Sequence, residues 1–239
     1  MRSSADRSID LNADVGEGPG EEPLYALISS ANIACGGHAG DDATMREAVT
    51  HALHQRVAVG AHPSYPDREG FGRVSIPLSP DVLRRTIAEQ IEALMRVASS
   101  LGASVRHVKP HGALYNDAAS RPEIAAAIGE AVVWVSRDLI LVGLFGSPAL
   151  DAWRGLGIPV ASEGFADRAY DANGMLVPRV NPGAVITDPA TAAAQAVRLA
   201  TRGCDTLCVH SDTPGAARIL RAVRTAVEAE GISVTGLSR

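Results

Sequence analysis

The chain has 239 residues, 46% of them hydrophobic, which is enough for one sizeable buried core, and a single domain of this length points to an α/β barrel or a large doubly wound sheet. A formal net charge of −5 supplies no basic field and argues against nucleic acid or an anionic membrane as partner. No apolar run approaches the ~20 residues that span a bilayer, and the opening MRSSADRSID lacks the apolar stretch of a secretory signal, so a cytoplasmic address is expected.

In chain order, strands are predicted over residues 8–13, 29–34, 57–61, 105–109, 139–143, 160–163 and 206–210, and helices over 42–55, 80–101, 121–135, 189–201 and 214–230. Several of these helices open with proline in the first turn, in the tripeptides SPD, RPE, DPA and TPG. Strands alternating with helices imply parallel βαβ units, and no linker or composition break divides the chain, so 1–239 reads as one domain. The longest irregular stretch, 164–188, is rich in Gly, Pro and Asn and reads as a lid. Cys204 and Cys208 are too far apart on one strand to bridge, and Cys35 falls on an apolar face, so three free thiols are expected in a reducing compartment.

Side-chain parity separates two sheet architectures. In the first strand Ile9, Leu11 and Ala13 share one face while Asp10, Asn12 and Asp14 share the other. The third strand opposes Val57, Val59 and Ala61 to Ala58, Gly60 and His62; the fourth opposes Val108 to His107, Lys109 and His111; the last opposes Leu207 and Val209 to Thr206, Cys208, His210 and Asp212. A doubly wound sheet covered on both sides would be apolar on both faces. One greasy and one polar face instead predict a (β/α) barrel of about seven parallel strands with a polar interior, in which Ala58 and Gly60 leave room for a site.

Chemistry is expected at the strand ends. The segment 10–18 places Asn12 and Asp14 together at the end of the first strand; Gly16, Gly18 and Gly20 have the wrong spacing for a dinucleotide loop, and Glu17, Glu21 and Glu22 would repel phosphate. Residues 29–41 carry Asn32 and present His38 and Asp41 beyond paired glycines. Cys35 there reads as packing rather than as a nucleophile, and mid-helix His51 and His54 read as a solvated face. Residues 60–73 hold His62 extended before Pro63 and offer Arg68 and Arg73 as anion binders. Lys109 is the only lysine beside 21 arginines, which argues for a task Arg cannot do, either as a compact point charge or as a titratable amine. His111 projects to the same side, where the ammonium would lower its pKa and favour a neutral general base. Glu163, Arg168 and Arg179 flank the lid, and His210 and Asp212 close the round.

Taken together and in this order, the segments DLNADVGEG, SSANIACGGHAGD, VGAHPSYPDREGFGR, RHVKPHGALYN, EGFADRAY and LVPR resemble the LamB/YcsF family, whose characterised activity is that of the A component of bacterial 5-oxoprolinase. The resemblance spans nearly the whole chain and implies a seven-stranded barrel of the glycoside hydrolase/deacetylase type. It also implies ATP-dependent opening of the 5-oxoproline lactam to glutamate, with Mg2+ accompanying the nucleotide and with subunits B and C as partners. Asp14, His38, His62, Lys109, His111, Glu163 and Arg168 are then expected to carry catalysis. Asn12, Glu17, Asn32, Asp41, Arg73 and Tyr115, with Arg179, His210 and Asp212, are expected to bind substrate or nucleotide. Two departures stand out: Ser211 replaces the Gly usual before Asp212, and the segment before the last strand is short. Two other readings stay open, a metal-dependent deacetylase or amidohydrolase in which Asp14, His38 and His62 hold a divalent ion, and a non-catalytic subunit that presents substrate. A homo-oligomer is likewise left open.

Overall fold

The parity of the strands closes the sheet on itself. In the computed structural model, which describes residues 7–237, β1 (Ser8–Val15), β2 (Ser30–Ala34), β3 (Ala58–His62), β4 (Val105–Val108), β5 (Ile140–Leu144), β6 (Val160–Phe165) and β7 (Thr206–Cys208) pair in sequence order, and β7 returns to β1. All these pairings are parallel, so the barrel has seven strands. A two-residue β8 (Ser233–Val234) adds to the first residues of β1 below the point where β7 pairs. Among the described residues no helix is long and apolar enough to cross a membrane.

Helices α1 (Glu22–Tyr25), α2 (Asp42–Gln55), α3 (Pro80–Ser100), α4 (Gly112–Ser120), α5 (Pro122–Val135), α6 (Pro148–Gly155), α7 (Pro189–Arg202) and α8 (Ala216–Ala229) connect the strands. Proline sits in the first turn of α3, α5, α6 and α7, and Ser79, Ser147 and Asp188 cap three of these four through side-chain oxygens. α8 begins two residues later than expected from Pro214, because Gly215 takes a left-handed φ of 80° as its N-cap. The short connection into β7 is made by Gly203, whose φ of 98° ends α7 and lets Cys204 turn directly towards the strand.

Outside the barrel, Leu11, Val59, Val108, Leu141 and Leu207 pack on helix residues such as Ile87, Ile91 and Leu220 in one large core. Burial of each such aliphatic contributes about 1.5–3 kcal/mol. Cys35 is part of that core, and all three thiols are free and buried, as expected. Inside, the floor is apolar: Ile140, Val142 and Ala161 pack with Leu237. Above it the interior is a hydrogen-bonded polar stack. Asp10 accepts from Ser29, Ser30 and Thr206. Asn12 donates to Thr206 and Glu163, Asn32 donates to Asn12, and His107 Nε2–H donates to Asn32. Gly60 does make room, but for protein rather than ligand: a Cβ there would overlap the His107 ring.

Candidate active site

Beyond the last residue of β4, the Lys109 N–H still donates to Ala61 O (2.9 Å) and the His111 N–H to Pro63 O (2.8 Å). The pairing of β3 and β4 thus continues through Pro110, and Lys109 and His111 both stay on the inner side. Lys109 Nζ lies 2.9 Å from Asp14 Oδ1 and 2.8 Å from Glu163 Oε1. Asn12 Oδ1 at 3.2 Å and Cys208 Sγ at 3.1 Å complete its shell, and every one of these groups is buried. Burial opposes charge on both Asp14 and Lys109, but their pairing outweighs it. His62 and Lys109 hold the Asp14 carboxyl well below its usual range, and Asp14 and Glu163 hold the ammonium well above its own. Burial pushes the Cys208 thiol up, so it stays neutral. Of the two tasks open to Lys109, the structure supports the fixed point charge.

Beside this cluster lie three imidazoles and a carboxylate. His62 Nδ1–H donates to Lys109 O (2.6 Å), which turns Nε2 towards Asp14 Oδ2 at 3.4 Å and Glu17 Oε1 at 3.6 Å. His111 Nε2–H donates to Phe71 O (3.0 Å), which turns Nδ1 towards Glu17 Oε1 at 3.3 Å and His62 Nε2 at 3.0 Å. His38 Nε2 lies 2.8 Å from Glu17 Oε1, and its ring stacks on His111 with centroids 3.7 Å apart. Burial, then the neighbouring His62, depress His38 to about 3. Burial also lowers His111, assisted by His62 and His38, so the cause is not the Lys109 ammonium anticipated from sequence. In His62 burial works the same way, but Asp14 and Glu17 overcome it and its pKa is raised.

On the opposite wall Asp167, fully buried, accepts from Thr213 Oγ1 (2.6 Å), from His210 N–H (3.0 Å) and from His210 Nδ1 (3.0 Å). That fixes the ring and leaves Nε2 as its other nitrogen; Phe165 stacks on it at 5.2 Å. The lid is pinned from within: Arg168 donates to Val177 O (2.6 Å) and Ala184 O (3.3 Å), and bridges Arg168↔Val185 and Tyr170↔Leu176 fold it back over the barrel mouth. At the rim Arg73 and Arg179 share Asp212, at 2.6 and 2.8 Å. Ser211 fits this turn without strain, since only Arg56 and Phe71 among the described non-glycine residues have positive φ.

These groups surround a cavity of about 510 Å³ at the carboxyl ends of the strands. Asp14, His62, Lys109, His111 and Tyr115 line it from the barrel, His210 and Arg168 from the side, and Met175 through Val180 from the lid. A larger hollow of about 1130 Å³ opens at the other end, among Ala58, Arg106, Asp138 and Gly236, away from all of this chemistry. Glu163, Asn12 and Asn32 are buried beneath the cavity floor and act on it through Lys109 and Asp14. Glu17 and His38 sit beside the cavity, Glu17 bordering a neighbouring groove with Arg73 and Asp212. Asp41 is not brought to the site: it is exposed and caps α2 in a reciprocal capping box with Thr44. Arg68 instead donates to Gly36 O and Gly40 O, bracing the His38 loop.

Four residues of the site escaped the sequence reading. Asp167 is one, although carrying the parity of β6 beyond Glu163 and Phe165 would have placed it inward. Cys208 and His107 were put on the inner face but given no task. Gln195 of α7, which donates to the Phe165 and Arg168 carbonyls (2.7 Å each), has no local signal at all.

Residues 9–239 match the LamB/YcsF family. A protein from Chloroflexus aggregans named as the A subunit of 5-oxoprolinase is 47% identical over 95% of this chain and 98% of its own length. The crystal structure of a lactam utilization protein from Thermus thermophilus superposes with a TM-score of 0.89 at 41% identity, covering 96% of this chain and 100% of that one. A polysaccharide deacetylase from Bacillus cereus, at a TM-score of 0.53 and 12% identity over 98% of this chain and 93% of that one, shares the fold alone. The chain belongs to the LamB/YcsF family.

Proposed function

We propose that this chain is the A component of an ATP-dependent 5-oxoprolinase and opens the lactam of 5-oxo-L-proline to L-glutamate together with subunits B and C. The names of its relatives support the reaction and the existence of other subunits. The observation that carries the chemistry is the pairing across the cavity of a fixed imidazole, His210 on Asp167, with an ionised carboxylate, Asp14, whose donor atoms lie within 4.8 Å of each other.

A five-membered lactam is a poor electrophile with a poor leaving group. Phosphorylating its carbonyl oxygen with ATP, with Mg2+ on the nucleotide, activates the ring carbon. Water then adds to that carbon, the C–N bond breaks and the nitrogen leaves as an amine after taking a proton. A second water releases phosphate from the resulting acyl phosphate, so two waters are consumed for each ATP. The chain's only lysine lies in VKPHG rather than in a phosphate-binding Gly-rich loop, so nucleotide handling falls to the partner subunits.

Within this chain His210 Nε2 is assigned as the base that takes the proton from water. This replaces His111 and His62, whose nitrogens are committed to each other, to Glu17 and to backbone carbonyls. Lys109 keeps Asp14 ionised beside the reacting carbon. Arg168 and Arg179 line the cavity from the lid side and supply positive charge for the substrate carboxylate or a phosphoryl group. The test is co-expression with candidate B and C subunits and measurement of ATP-dependent glutamate release from 5-oxoproline. An assembled complex that releases none overturns the proposal.

A further inference from the structure

The three histidines beside the cavity and the Glu17 carboxyl turn four potential ligand atoms towards one point. His62 Nδ1 faces the Lys109 carbonyl at 2.6 Å and His111 Nε2 faces the Phe71 carbonyl at 3.0 Å. A carbonyl can only accept, so both of these nitrogens carry protons. In the neutral rings, His62 Nε2 and His111 Nδ1 are therefore both bare lone pairs, and they face each other 3.0 Å apart. A third acceptor, Glu17 Oε1, lies 3.3 Å from one and 3.6 Å from the other. His38 Nε2 joins it at 2.8 Å. A shared proton joins only one pair of these atoms at a time, whereas a metal ion set among them would join all four.

The spacing says which kind. Four ligands at about 2.0–2.1 Å around a tetrahedral zinc ion stand about 3.3 Å from one another. The contacts within this set run 2.8, 3.0, 3.3 and 3.6 Å, and all four donor atoms lie within 4.8 Å of each other. Three imidazoles and one carboxylate suit a borderline metal and not Mg2+ or Ca2+, which take oxygen. The carbonyls of Lys109 and Phe71 are the partners that metal-bound histidines use to fix the tautomer. The four ligands come from four separate segments, after β1, after β2, at the end of β3 and after β4, so closure of the barrel assembles them.

We propose that His38, His62, His111 and Glu17 form a binding site for one divalent transition-metal ion of the zinc class. His62 Nε2 and His111 Nδ1 already point into it, and His38 Nε2 would exchange its contact with Glu17 for the ion. This is not the Asp14–His38–His62 set considered from sequence: Asp14 is held by Lys109, and Glu17 and His111 take its place. Bound there, the ion would border the cavity through His62 and His111 and supply Lewis acidity to an oxygen held in it.

The site is read from metal content, so its test is independent of the lactam reaction. Untagged protein is stripped with chelator, loaded with zinc and desalted, and bound metal is measured by plasma mass spectrometry; cobalt loading reports coordination by visible absorption. The expected result is one zinc per chain and a cobalt spectrum of four- or five-coordinate form. Glu17→Gln and His38→Asn, checked for fold by circular dichroism, should each weaken zinc binding by at least about 100-fold. His54→Asn, on the exposed face of α2, should change nothing. Wild-type protein that retains no stoichiometric zinc overturns the proposal. So does equal retention by the folded Glu17→Gln chain, which would mark an adventitious ion only. If His38→Asn fails to fold, Glu17→Gln and the wild-type cobalt spectrum decide.

Discussion

Replacing Lys109 by methionine keeps the length of the side chain and removes the one cation that Asp14 and Glu163 share. Both carboxylates are buried, at 2.9 and 2.8 Å from Nζ, with no bulk water to substitute for it. Deleting one partner of a buried pair typically costs about 3–5 kcal/mol, because the charge left behind is uncompensated. For a domain of this size each kcal/mol moves the melting temperature by about 2–4 °C, so a fall of about 6–20 °C is expected at neutral pH. The pH dependence has a definite sign. Asp14 is held below its usual 3.8, so it contributes stability that is present above that pH and lost as the pH falls through its folded value. The variant lacks that contribution, and protonation relieves its stranded Asp14 carboxylate, so the gap to wild type should narrow in acid. Adding Asp14→Asn and Glu163→Gln to the same chain should recover most of the loss, since the three residues act as a unit. Thermal melts at pH 7 and pH 4 on the wild type, the single variant and the combined variants measure this. A Lys109→Met protein that melts within about 2 °C of wild type at pH 7 would refute the account, because it would mean that solvent reaches the carboxylates.

Three further outcomes follow from the geometry. Asp167→Asn should leave the fold and KM close to wild type but lower kcat of the assembled enzyme by about 10²–10⁴-fold, since His210 loses the partner that sets its ring; steady-state kinetics would show this, and an unchanged kcat would remove His210 as base. Gly60→Ala forces a methyl group into the His107 ring and should destabilise the protein by about 1–3 kcal/mol in urea titrations, although neither residue lines the cavity. Asp41→Ala should cost about 0.5–2 kcal/mol in the same titrations through loss of the α2 cap, with turnover unchanged; reduced turnover in a folded protein would return Asp41 to the site.

The sequence carried the barrel because each strand must present two chemically different faces. Period-two alternation in β1, β3, β4 and β7 put Asp14, His62, Lys109 and His111 on the inner face, and the structure gathers all four around one cavity. Helices α4 and α6 went unseen for a physical reason: at nine and eight residues they are held by packing rather than by their own periodicity. Asp41 caps α2 rather than reaching the cavity, and the sequence could not separate the two because an N-cap and a ligand demand the same residue type after the same glycine-rich turn. Which histidine can act as a base was beyond the sequence altogether. It depends on carbonyls contributed by residues far along the chain, such as Phe71 for His111, and on a buried carboxylate, Asp167, for His210.

The loop that carries Phe71 shows how much of the fold is spent on that choice. Phe71 has a φ of 54°, a left-handed conformation that costs a residue with a Cβ about 1–2 kcal/mol. The strain sits where its return is visible. The Phe71 carbonyl receives His111 Nε2–H at 3.0 Å, and its ring meets the edges of His38 and His111 and the Arg73 guanidinium, each between 5.1 and 5.6 Å away. Gly72 follows at φ 63°, where a side chain would crowd Cβ of His38 and the ring of His111, and its carbonyl takes the N–H of Ala113 at the start of α4. One strained turn after β3 therefore fixes the tautomer of His111, packs His38 against it and anchors the helix that carries Tyr115. Relaxing the turn would release these contacts together. The histidine cluster is thus held by the β3–α3 loop as much as by the barrel, and a change at Phe71 or Gly72 should disturb the site while the seven-stranded sheet stays intact.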